Sequence, residues 1–84
     1  MKLAKFVKFR EEKFGGVLFE TRSEKVYTLN PTAAAVLREI QSGSTEGQIR
    51  DRLKHRFTAD DNGAIDREVA ALLADLRSKG LVED

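Results

Sequence analysis

The residue types that could carry chemistry in this sequence are few, and each lacks the partners its chemistry needs. His55 is the single histidine and stands between Lys54 and Arg56 on a polar helix face. It has no second histidine and no cysteine with which to share a metal, so it reads as a surface residue rather than a ligand or base. The segment Asp60-Asp61-Asn62-Gly63-Ala64-Ile65 has the glycine and isoleucine offsets of a calcium loop. Aligned that way, Thr58 takes the first ligand position and Val69 the last, where a bidentate glutamate is required. It therefore reads as a turn before a helix, with acids near the positive helix end. Gly15-Gly16 has no phosphate-loop context and reads as a hairpin turn. Serines and carboxylates are present, but no spacing couples a nucleophile to a base. The sequence thus points away from an enzyme: no catalytic residue, metal or cofactor is expected. Binding remains.

The totals agree. The 84 residues contain no cysteine, which excludes a disulfide framework and any cysteine-held zinc or iron–sulfur site. Fifteen basic residues stand against 14 acidic ones, for a net charge of +1. A nucleic-acid binder usually shows a clear basic excess, because phosphate neutralisation supplies most of its affinity. The mild basic bias of Lys2, Lys5, Lys8, Arg10 and Lys13 is opposed by Glu11 and Glu12. No apolar run approaches the roughly 18–20 residues that span a bilayer. The alternation of apolar and charged residues in Met1–Lys8 is not the pattern of a signal peptide. The expectation is one domain over residues 1–84, cytoplasmic, with no membrane and no nucleic acid as partner.

The elements that must position a binding site follow from a change of period. Phe6–Arg10, Val17–Thr21 and Glu24–Leu29 read as three short strands, rich in β-branched and aromatic residues and joined by short turns, the second at Arg22-Ser23. Asn30-Pro31 then opens a helix, with Asn as cap and Pro at the first helical position. Ala33, Val36, Leu37 and Ile40 give it an apolar face, and Gly43 ends it. Thr45 with Gln48 forms a capping box for a second helix, on which Ile49, Leu53 and Phe57 stack. After a polar loop from Thr58 to Ala64, a third helix runs from about Ile65 to Lys79 and stops at Gly80. Leu81-Val82 either returns as a short strand or packs on the core. The fold class is α+β: a three-stranded antiparallel N-terminal sheet followed by three helices, in winged helix-turn-helix form.

Taken together, Val26-Tyr27-Thr28-Leu29-Asn30, Ala33–Leu37, Ser42–Thr45, Glu68-Val69, Leu72-Leu73, Leu76 and Lys79–Val82 resemble the PqqD family over about Phe6 to Val82. Each piece alone is a cap or a core pattern; the order and spacing carry the resemblance. It implies a recognition element of ribosomally made, post-translationally modified peptide pathways. Such an element binds the leader of a precursor peptide and presents it to a modifying enzyme, often a radical SAM enzyme. It also implies that the leader adds as a strand beside the third strand, against the third helix.

The residues bear on this independently. The last strand of a meander is an edge, whose unpaired N–H and C=O groups template an extended peptide. On Glu24–Leu29, Lys25, Tyr27 and Leu29 share one face, and Glu24, Val26 and Thr28 the other. Leu29 belongs in the core; Val26 and Tyr27 divide evenly between sheet packing and peptide contact. Around the third helix, at 100° per residue, the core arc centres on Leu72, Val69, Leu76 and Ile65. Asp66, Ala70, Leu73 and Arg77 form one flank, and Glu68, Asp75 and Lys79 the other. The first flank is the expected groove wall, with Leu73 apolar, Ala70 small and Arg77 able to meet an acidic leader residue. The plainer alternative makes Leu73 core and Arg77 solvated. The expected peptide contacts are therefore Glu24, Lys25, Val26, Tyr27, Thr28, Asp66, Ala70, Leu73 and Arg77. Competing functions are a DNA-binding winged-helix regulator and a structural docking domain, and the same strand edge could pair two copies of the chain.

Overall fold

Asn30 starts the first helix as its side-chain chemistry dictates: Oδ1 accepts the Ala33 N–H at 2.8 Å, and Pro31 takes the position where no donor is needed. A computed structural model describes residues 1–56 and 63–83 and arranges them in eight elements. These are β1 (Lys2–Leu3), β2 (Val7–Glu12), β3 (Gly15–Glu20), β4 (Lys25–Leu29), α1 (Pro31–Gln41), α2 (Glu46–Arg56), α3 (Ala64–Ser78) and β5 (Val82–Glu83). The order β2-β3-β4 is an antiparallel meander, and the three helices follow, as the α+β expectation has it. Phe57 and Asp60-Asp61-Asn62, for which the sequence suggests a core contact and a turn, lie outside the described residues.

α1 is the central element. Ala33, Ala34, Ala35, Val36, Leu37 and Ile40 are all buried, so it is enclosed on more than one side. It packs against β3 and against α2. The core joins Leu18 and Leu29 of the sheet, Val36, Leu37 and Ile40 of α1, Ile49 and Leu53 of α2, Val69, Leu73 and Leu76 of α3, and Leu81. The capping box at the start of α2 forms reciprocally: Thr45 N–H donates to Gln48 Oε1 at 2.9 Å, and Gln48 N–H to Thr45 Oγ1 at 3.2 Å. Ser44, the one buried polar residue among those described, donates to Glu39 Oε1 at 2.8 Å and accepts from Arg52 at 3.0 Å. Its burial is thereby satisfied, and the three side chains tie α1 to α2.

Three expectations change. Gly15-Gly16 is not the hairpin turn; Lys13 and Phe14 form it, and both glycines lie within β3. A Cβ on Gly15 would stand 2.1 Å from the Leu29 carbonyl oxygen, and one on Gly16 2.7 Å from the Phe9 ring. Gly15 also holds φ at 143°, so close approach and backbone conformation both demand glycine there. Glu24 belongs to the β3–β4 turn, with a left-handed φ of 61°, and β4 begins one residue later. The N-terminus supplies a strand the sequence does not announce: Lys2 and Leu3 pair antiparallel with Glu83 and Val82. Leu81-Val82 therefore meets both of its expectations, since Leu81 is buried and Val82 pairs with Leu3.

Candidate functional site

β4 is an outer strand of the sheet, and the register determines which of its backbone groups are free. Thr21 N–H donates to the Phe6 carbonyl at 2.8 Å, one step beyond the Val7–Glu20 pair. Hydrogen-bonded and non-bonded pairs alternate along an antiparallel ladder. Phe19 and Val17 of β3 consequently bond β2, while Glu20, Leu18 and Gly16 bond Lys25, Tyr27 and Leu29 of β4. Val26 and Thr28 then turn their N–H and C=O groups to the open edge. Two rungs of donor and acceptor stand ready for a further strand.

The same register sorts the side chains. Tyr27 and Leu29 lie over the helices with Leu18, Leu29 is buried, and Tyr27 is half-buried against the core. Val26 lies on the opposite, outer face, 59% exposed beside its neighbour Phe19. There, Val17, Phe19 and Val26 form a shallow apolar concavity of about 640 Å³ between Lys8 and Arg10.

Beneath the open edge, a groove of about 260 Å³ runs between β4 and the C-terminal half of α3. Its apolar lining includes Tyr27, Leu29, Ala33, Leu72 and Leu76. Asp75 and Lys79 form its charged rim: Lys79 Nζ lies 2.6 Å from Asp75 Oδ2 and 5.4 Å from the Tyr27 ring centroid. The width of the groove is thus bridged by a cation held between an acid of α3 and an aromatic ring of β4.

The flank of α3 expected to form this wall faces elsewhere. Leu73 is fully buried. Arg77 Nη2 donates to Glu46 Oε1 at 2.8 Å, and Asp66 pairs with Lys54 at 3.1 Å, so both reach α2. Ala70 is half-buried on the same side. Of the nine expected contacts, the structure brings Lys25, Val26, Tyr27 and Thr28 to the edge strand, leaves Glu24 in the adjoining turn, turns Asp66 and Arg77 toward α2, buries Leu73 in the core and leaves Ala70 half-buried and outside the groove lining. The wall beside β4 is built instead by Leu72, Asp75, Leu76 and Lys79. The reason is rotational: Leu73 is fully buried while Leu72 is only half-buried, which swings the core arc toward Leu73 by roughly a quarter of one 100° residue step. The discarded flank held a usable signal, an Asp75–Lys79 pair at i, i+4 interleaved with Leu72 and Leu76.

Carboxylates around the site are held ionised by identifiable partners. Glu20 caps the β3–β4 turn, accepting the Arg22 and Ser23 N–H groups at 2.9 and 3.0 Å. Hydrogen bonding by Ser23 and then by the Arg22 backbone holds it below the usual carboxylate range. Arg38 lowers Glu11 in the same way through its hydrogen bonds, one of them 2.8 Å from Nε to Oε1. Among the described residues, no group of three or more histidine, aspartate or glutamate side chains is placed to hold a metal ion, and no helix is long and apolar enough to cross a membrane.

Two solved structures share this fold. One, a lasso peptide synthetase B1 complexed with the leader peptide, has a TM-score of 0.77 at 22% identity, covering 99% of this chain and 96% of that one. The other, TbiB1 in complex with the TbiA(beta) leader peptide, has a TM-score of 0.85 at 19% identity, covering 99% and 95%. No curated protein matches the chain. The family described as coenzyme PQQ synthesis protein D matches residues 15–82, from the first strand residue that only glycine can occupy to the strand that returns beside the N-terminus, and the chain belongs to this PqqD family.

Proposed function

We propose that the chain is a peptide chaperone without chemistry of its own, which binds the leader region of a ribosomally made precursor peptide and presents it to a peptide-modifying enzyme, a radical SAM enzyme being the foremost candidate. The observation that carries the reading is the coincidence of two features on β4. Its edge offers the unpaired backbone of Val26 and Thr28, and an apolar groove lies directly beneath that edge. A leader strand added there gains main-chain hydrogen bonds that are indifferent to sequence. Every second side chain drops toward Tyr27, Leu72 and Leu76, where shape discriminates. Family membership supports the reading, as do two neighbours of the same fold that were solved with leader peptides. The DNA-binding alternative is disfavoured because Arg77 and Lys79 of the third helical segment already face carboxylates.

The test is an amide NMR titration with the leader of the cognate precursor peptide, run with sedimentation analysis of the free chain. Shifts should concentrate at Val26–Thr28 and along Leu72–Lys79, with slowed hydrogen exchange at the Val26 and Thr28 amides. Shifts confined to the basic N-terminal segment, or none at all, would refute it. A free chain that sediments as a dimer and becomes monomeric on adding leader would show that a second copy competes for the same edge.

A further inference from the structure

Lys79 lines two depressions at once. One is the apolar groove beneath β4; the other, of about 300 Å³, lies beyond Lys79 and is bordered by Lys5, Phe6, Glu20, Arg22 and Gly80, with Glu83 at its margin. The two acids there are already engaged. Glu20 accepts two backbone N–H groups, and Glu83 lies 3.8 Å from Lys2. The cations are engaged less. Arg22 stacks on the Phe6 ring at 4.3 Å and lies 3.9 Å from Glu20, while Lys5 sits 5.7 Å from the same ring with no carboxylate partner among the described residues. Lys79 therefore marks the point where an apolar groove meets a charged depression in which three cations stand against two acids.

Resting on the strand-capture reading, we propose that Lys79 is a specificity-determining residue: it receives an acidic side chain of the captured strand, which replaces Asp75 as its partner. The existing Asp75–Lys79 pair is an exposed i, i+4 contact, with side chains 52% and 40% exposed. Pairs of that kind shift an equilibrium by only about twofold, so exchanging the carboxylate costs little. A strand lying on the β4 edge covers Lys79 from solvent, and a carboxylate delivered under that cover meets the ammonium with less water between them. Lys5 adds to the positive potential behind it. The Tyr27 ring holds the ammonium over the groove, where an inward-facing side chain of an added strand arrives.

A phage-displayed library of random twelve-residue peptides, selected on the intact chain and on its Val26→Pro variant, tests this without knowledge of the natural leader. Proline is tolerated where a strand's N–H faces outward, so Val26→Pro removes the rung and spares the fold. Peptides that need Val26 should carry Asp or Glu at one fixed offset from an apolar residue. That enrichment should vanish in selections on Lys79→Met. Individual acidic peptides should lose roughly tenfold in affinity on Lys79→Met, and recover most of it on Lys79→Arg. Val26-dependent peptides with no acidic preference, or with one that survives Lys79→Met, would overturn the role of Lys79 and leave strand capture standing. Peptides that bind Val26→Pro as well as the parent, or a library without Val26-dependent binders, would overturn both.

Discussion

The two flanks of α3 are built from similar residues and do opposite things. The flank toward α2 carries Leu73 and Arg77; the flank toward β4 carries Leu72 and Lys79. On the first, the leucine is fully buried and the charged groups reach across to another element, Arg77 to Glu46 and Asp66 to Lys54. On the second, the leucine is half-buried and the ion pair is local, Lys79 with Asp75 four residues earlier, beside the weaker contact of Lys79 with the Tyr27 ring. Contacts between elements fix the tertiary arrangement and cannot be given up without loosening it. A pair within one helix can be exchanged while the fold stays intact. The flank beside β4 is thus the one whose ion pair lies on a single element.

Substitution can break that contrast. Leu73→Ala should be the most damaging change, costing about 2–5 kcal/mol in denaturant unfolding, because it leaves a cavity at a fully buried site. Leu72→Ala should lower stability by no more than about 1 kcal/mol, since the side chain is already half in contact with water. It should nonetheless weaken leader binding by roughly tenfold in calorimetry, the loss of a well-filled apolar contact. Equal stability costs for the two variants would dissolve the distinction. Asn30→Ala, which removes the α1 cap beneath the groove, should cost about 1 kcal/mol in the same unfolding measurement. Arg77→Gln should reduce stability by about 1 kcal/mol or less and leave leader affinity within about twofold; a large loss of affinity would return the groove to the other flank.

The smallest effect is one of pH. Arg52, and after it Ser44, hold Glu39 below its ordinary value of 4.5 by hydrogen bonding. A carboxylate depressed in the folded state contributes stability that is present above its unfolded pKa and lost as pH falls through the folded one. Thermal stability should therefore decline as pH drops below about 4.5, and Glu39→Gln should flatten part of that decline. An unchanged profile would remove the α1–α2 clamp from the account.

Much of this architecture was legible because it is written in local chemistry. Asn30-Pro31, the Thr45/Gln48 box and Gly80 mark helix ends through hydrogen bonds made within a few residues, and the structure realises each of them. The edge strand was legible for a similar reason, since the last strand of a meander has a neighbour on one side only. The groove wall was not. A helical wheel orders residues around an axis but carries no information about where the axis sits, and a rotation of about a quarter of a residue step exchanges Leu72 for Leu73 in the core. Gly15-Gly16 misled because glycine marks both turns and close approaches, and only the position of the Leu29 carbonyl decides between them. The Lys2–Leu3 strand is too short for any periodicity and exists only through its distant partner.

That pairing has a consequence for the chain as a polymer. With Lys2 opposite Glu83 and Leu3 opposite Val82, the backbone comes close to a closed ring. A short linker across residues 2 and 83 would add little closure entropy. The ring could then be opened at the Lys13–Phe14 turn, whose Phe14 is 55% exposed, to give a circular permutant in which β3 and β4 come first and β2 last.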